Sequence, residues 1–151
     1  MTPKGAVSVD RKEVERHLYL YPAYKATITD LRRQYSQSAR PEFGMAIQAG
    51  EVSDPTYGAV SRLHSDPEYL KAYMFTRAID TVMGLLDDQT CQAVEEVYFK
   101  GQNRTMEGVA ARCAVDPRQL YRLRMRALDY MQPILYLSGV GVRILSEMCP
   151  K

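Results

Sequence analysis

An all-α fold is predicted for this chain: an N-terminal amphipathic helix or helix pair, a flexible linker, and a C-terminal helical domain built around a helix-turn-helix. Three observations predict it. Apolar residues recur at helical spacings along most of the sequence, runs alternating apolar and polar residues are scarce, and three Asp-Pro pairs mark helix starts. In Asp54-Pro55, Asp66-Pro67 and Asp116-Pro117 the aspartate offers an N-cap acceptor. The proline then fills the first helical turn, where its missing N–H would have had no intrahelical partner anyway. A length of 151 residues suits one modest core, or a small domain with an arm. The expected divisions are a basic helical segment over 1–36, a linker over 37–53, the helix-turn-helix domain over 54–131 and an apolar tail over 132–151.

The first helix is expected from about Asp10 to Tyr35, with Val14, Leu18, Tyr21, Ile28 and Leu31 on its apolar face and Pro22 bending or dividing it. Ser, Pro, Gly and small residues then dominate up to Ser53, which suits a connection. A short helix from Pro55 to His64 follows, then a longer one from Pro67 to about Leu86 that carries Leu70, Met74, Ile79, Val82 and Leu86 toward a core. Asp87, Asp88 and Thr90 supply caps for a further helix over about 89–99, with Cys91, Val94 and Tyr98 on one face and Gly101 ending it. The tail, ILYLSGVGVRILSEMC, is apolar and broken by two glycines. A strand, a hairpin and a helix seated in a partner's groove are all compatible with it, and self-association or packing on its own domain would bury it.

Charge is unevenly spread. The formal net charge is +2, but segment 66–100 holds 3 basic and 7 acidic residues, whereas segment 101–131 holds 6 basic and 3 acidic. Cys91, Cys113 and Cys149 are far apart with no CxxC pair and read as free buried thiols, so no metal site is expected. Neither an apolar signal segment nor a membrane-length apolar run is present, and a reducing, host-cell cytoplasmic setting is expected. An enzyme is not expected. His17 and His64 are isolated, with a helix end or the surface as their expected places, and no nucleophile is spaced to partner either. Tyr19, Tyr21 and Tyr24 read as packing residues rather than a base-stacking platform.

The functional signal lies over Thr105–Met131. Advancing 100° per residue from Pro117 places Leu120, Leu123, Ala127 and Met131 on one side of a helix and Arg118, Arg122, Met125 and Arg126 on the other, with Gln119 and Tyr121 at the flanks. The guanidinium fork can donate two hydrogen bonds to guanine O6 and N7, and a glutamine can pair with adenine N6 and N7. Base reading is therefore expected from Arg118, Gln119 and Arg122, and phosphate contact from Arg126, Arg124 and Arg104. A cationic helix face alone is commonly just solvated. Here a short helix over Met106–Cys113 and the turn Ala114-Val115 precede it, with Val109, Ala110, Cys113, Val115, Leu120 and Leu123 at the apolar positions of a helix-turn-helix. Thr105 can cap the first helix, whose N-terminus favours a nearby phosphate, so Thr105 is expected among the DNA-binding residues. Ala114 stands where such turns commonly have glycine; a left-handed backbone there would cost about 1 kcal/mol.

The segments LLDDQTCQAVEEVYFKGQ and TMEGVAARCAVDPRQLYRLRMRALDYM resemble region 4 of bacterial sigma factors. With HLYLYPAYKATITDLRRQY and SDPTYGAVSRL added, the chain more closely resembles the RinA/ArpU-type phage transcriptional regulators over most of residues 14–135. The resemblance implies a sequence-specific activator of phage late genes, packaging and lysis functions included, that binds double-stranded DNA without a cofactor. It carries the helix-turn-helix role onto Arg118, Gln119, Tyr121 and Arg122. Two alternatives stay open: a small terminase-like packaging subunit that assembles as a homo-oligomeric ring, and a sigma-like module that binds RNA polymerase. No membrane partner is expected.

Overall fold

The computed structural model describes residues 10–38, 55–100 and 104–148, and all secondary structure among them is helical. The helices are α1 (Arg11–Ser38), α2 (Pro55–Ser65), α3 (Pro67–Leu85), α4 (Asp88–Val94), α5 (Met106–Arg112) and α6 (Pro117–Met148). A π-helical turn, Glu95–Phe99, prolongs α4. Most of the expected linker lies outside the described residues; Gln37 and Ser38 close α1 instead.

The Asp-Pro pairs act as helix starts. Asp66 accepts from the backbone N–H groups of Glu68 (2.9 Å) and Tyr69 (3.4 Å), and Asp116 accepts from that of Gln119 at 2.7 Å. Helix α2 opens on Pro55, while Asp54 lies outside the described residues. Asp87 caps α4 and takes the hydroxyl of the buried Thr90 rather than a backbone N–H.

Pro22 neither bends α1 out of the core nor divides it. The proline sits on the exposed side of one continuous helix, while Val14 and Leu18 before it and Tyr24, Ile28 and Leu31 after it are buried in the same core. Helix α3 is the central element, packed against both α1 and α6. Its buried stripe is Tyr69, Ala72, Phe75, Ala78, Ile79 and Val82; Leu70 and Met74, expected inside, are only half-buried. The stripe also runs at helical spacing, but it begins one residue earlier. Its two alanines allow close approach by neighbouring helices, and its aromatic rings supply the buried volume.

The tail forms neither a strand nor a hairpin. Helix α6 runs on through the exposed Pro133 to Met148, burying Leu128, Met131 and Leu135 and packing Val142 on the core. Gly141 faces α3: a Cβ there would lie 2.6 Å from Met74 Cε, the flexible end of that side chain, which would have to shift. No described helix is long and apolar enough to cross a membrane.

Tyr19, Tyr21 and Tyr24 of α1 pack internally. Tyr19 meets Tyr98 edge-on at 5.0 Å, Tyr21 stacks on Phe99 at 4.4 Å, and Tyr24 lies 5.8 Å from Phe75. His17, contrary to expectation, is neither at a helix end nor on the surface. It is buried, stacked on Phe75 at 4.1 Å, with Nδ1 2.8 Å from the Tyr24 hydroxyl. Its place on the same helix face as Val14, Leu18 and Leu31 carries it inward. His64 is exposed, with its ring edge-on to Tyr69.

Burial pushes the His17 imidazole down to about 4, with Arg16 and Lys71 adding to the shift and Glu13, 3.5 Å away, opposing it. Below its ordinary value of 6.5 the unfolded chain takes up a proton that the folded chain refuses. Stability contributed by neutral His17 is therefore complete above pH 6.5 and is lost as pH falls toward 4. Denaturant unfolding between pH 6.5 and 5 should show a loss of about 2 kcal/mol that is absent in His17→Phe. An equal loss in the variant would remove His17 as its source.

Candidate nucleic-acid interface

Helix α5 is short and needs both of its ends satisfied. At the start, the Thr105 hydroxyl accepts from the Gly108 N–H at 3.1 Å. At the end, Ala114 N–H donates to the Ala111 carbonyl (3.1 Å) and Val115 N–H to the Ala110 carbonyl (3.0 Å). These two bonds close a Schellman turn around Ala114, whose φ of 56° is left-handed. The backbone strain foreseen at this alanine is present. Burial of Val109, Ala110 and Cys113 beneath the turn, together with Leu120 and Leu123 of α6, holds the alanine there. Asp116 then caps α6, whose first two turns bury Leu120 and Leu123 and leave Arg118, Tyr121 and Arg122 exposed.

The arginines of this region divide into two groups. Arg118 and Arg122 are exposed, one turn apart on α6, and take part in no ion pair or hydrogen bond among the described residues. Tyr121, 57% exposed, lies between them, and Gln119 is half-buried beside them. Arg126 lies farther along; its contact with Asp87 is 3.6 Å long, with both side chains more than half exposed. Such a pair is worth little and opens readily.

Arg124 and Arg104 are turned inward. Arg124, with a side chain 17% exposed, lies over the Tyr98 ring at 5.8 Å, donates to its hydroxyl at 3.4 Å and reaches Glu15 of α1 at 3.4 Å. Arg104 meets Glu96 at 2.6 Å. Glu96 is itself buried and also holds Lys100 at 2.9 Å. Lys100, with Arg104 adding, keeps this carboxyl below the usual carboxylate range. The phosphate contacts expected of Arg104 and Arg124 thus compete with internal partners, and the free cationic face narrows to Arg118, Arg122 and Arg126. The angular position of Arg124 explains its placement. It lies one residue beyond Leu123 and four before Leu128, on the side of α6 that faces the core.

Two residues absent from the sequence reading border this face. Arg112, in the last turn of α5, is largely exposed and only 3.9 Å from Glu96. A cation ending the first helix of the motif was the available signal. Arg11 of α1 binds Asp129 of α6 at 2.9 Å and so offsets the charge of that carboxylate. A contact spanning 118 residues of sequence leaves no local trace. Cys91 and Cys113 are free thiols held above their usual range by burial, while Cys149 lies outside the described residues. No cluster of three or more metal-ligating side chains occurs among the described residues.

Comparison of the chain with family models, with curated proteins and with solved structures returned no match.

Two stability measurements check this division. Arg124→Met should lower the unfolding free energy by about 1–3 kcal/mol, whereas Arg118→Ala should leave it within about 0.5 kcal/mol. Ala114→Gly should raise stability by about 0.5–1 kcal/mol, because relief of the left-handed alanine exceeds the added entropy of the unfolded chain. A destabilising Ala114→Gly would mean that the alanine is not strained.

Proposed function

We propose that this chain is a sequence-specific DNA-binding regulator of transcription that presents the first half of α6 to the major groove. The observation that carries this reading is the pair Arg118 and Arg122: two exposed guanidinium groups one turn apart, with no ion pair or hydrogen bond among the described residues, on a helix whose opposite side is fixed in the core. An α-helix fits the major groove, and N-terminal residues of the inserted helix reach base edges most easily. Arg118 and Arg122 read guanine through O6 and N7, Gln119 reads adenine, and Tyr121 supplies a ring at the groove wall. Arg126 and Arg112 grip phosphates on the two sides, fixing register without reading sequence.

The biological setting rests on the likeness to RinA/ArpU-type regulators and to sigma region 4 described above. On that likeness the chain activates phage late genes in the cytoplasm of the host, without a cofactor. Two further features are consistent with regulation by DNA contact: the acidic surplus lies before the motif rather than on it, and Arg11 neutralises Asp129 beside the cationic face.

Selection of bound fragments from a random duplex pool tests the reading. The wild-type chain should enrich a defined site, and Arg122→Ala should lose about 1–3 kcal/mol of affinity and relax preference at one base pair. Arg126→Ala should weaken all sequences about equally and reduce the salt slope by about 1. Enrichment of no site, or unchanged selectivity in Arg122→Ala, would overturn the assignment.

A further inference from the structure

The second half of α6 carries an exposed apolar seam. Tyr130, Leu137 and Ile144 are 55%, 66% and 50% exposed and follow one another at intervals of seven residues. The exposed Pro133 and half-buried Val140 stand between them, so the spacing alternates three and four along the helix. This is the heptad pattern by which one helix packs along another. It lies opposite the buried face of Met131, Leu135 and Val142, so no helix among the described residues fills it.

We infer that this seam is an interface with a second copy of the chain, packed antiparallel along α6. The charges beside the seam determine the direction. Asp129, Tyr136 and Arg143 lie along one flank, also seven residues apart, and Ile134 and Gly141, which pack toward the core of the same chain, lie along the other. In a parallel pair each flank meets the opposite flank of its partner, and Asp129 and Arg143 would face uncharged residues. In an antiparallel pair like flanks meet, so Asp129 faces Arg143 of the second copy twice over, once at each end, as a two-fold interface requires. Arg143 is exposed and has no ion-pair partner among the described residues. The bond from Arg11 to Asp129 uses Oδ1, leaving Oδ2 for the second copy. Because α6 is already ordered by its packing on α3, association carries no cost of forming the helix.

The pairing has a consequence that rests on the DNA-binding reading. Arg122 lies seven residues before Asp129, on the same flank, so the two copies present Arg122 on one side of the dimer. At 1.5 Å per residue the two are about 40 Å apart along the helices, close to the 34–36 Å of one duplex turn.

Sedimentation equilibrium on the full chain, up to about 200 µM, tests the dimer without DNA. A dimer is expected. Leu137→Asp should weaken it at least about 100-fold, while the thermal melt of the dissociated chain, read below the wild-type dissociation constant, stays unchanged because the side chain is exposed there. Asp129→Arg and Arg143→Asp should each weaken association about fivefold, and the two changes together should restore it. A monomer throughout, a larger ring, a dimer indifferent to Leu137→Asp, or no recovery in the double reversal would overturn the inference. A dimer that binds no DNA would count only against the proposed function.

Discussion

Burial of one side of α6 governs the rest of the molecule. Leu120, Leu123, Ala127, Leu128, Met131 and Leu135 are each at most 3% exposed, so the helix cannot rotate about its axis without exposing most of the core it shares with α3 and α4. The outward side is thereby fixed. Over its first ten residues that side is cationic, and over its last twenty it is apolar, so a single helix carries the proposed groove-reading surface and the proposed pairing surface in one rigid body.

The same constraint sorts the positive charge. Arginines 118, 122, 124 and 126 sit within nine residues, and composition treats them alike. A 100° step per residue places Arg124 against the core, where Tyr98 and Glu15 receive it, and leaves the other three outside. Removing a partner from the Arg124 pair would strand a charge at low exposure, so its role in the fold is strong and its availability to a ligand is poor. Glu96 does the same for Arg104. The π-helical turn in which Glu96 sits is where the chain leaves α4 and heads for α5, so Lys100, Arg104 and Arg112 converge on one buried carboxylate at the base of the motif. What remains outside is small, but its orientation is set.

Much of this was legible in the residues because it is local. The all-helical class followed from periodicity. The starts of α2, α3 and α6 followed from Asp-Pro chemistry, and the apolar positions of α5 and α6 followed from their spacing. The left-handed turn at Ala114 was foreseeable because a Schellman closure asks for that backbone whatever residue occupies it. What escaped was decided at a distance. Pro22 reads as a helix breaker until Leu18 and Tyr24 are known to be buried on either side of it. His17 reads as an isolated polar residue until Phe75 lies on its ring. The tail reads ambiguously because Gly139 and Gly141 lower helix propensity, and only its packing on α3 shows that it continues the helix. The inward turn of Arg104 depends on Glu96, a partner eight residues away in the sequence.

The central claim is that the outward face at the start of α6 meets DNA. Titrating isotopically labelled protein with a mixed-sequence duplex and following backbone and arginine side-chain resonances tests it most directly. The account predicts that shifts concentrate on Arg118, Gln119, Tyr121, Arg122 and Arg126, with Arg124 and Arg104 unmoved. Shifts centred on α1 or α3, with the start of α6 silent, would contradict it.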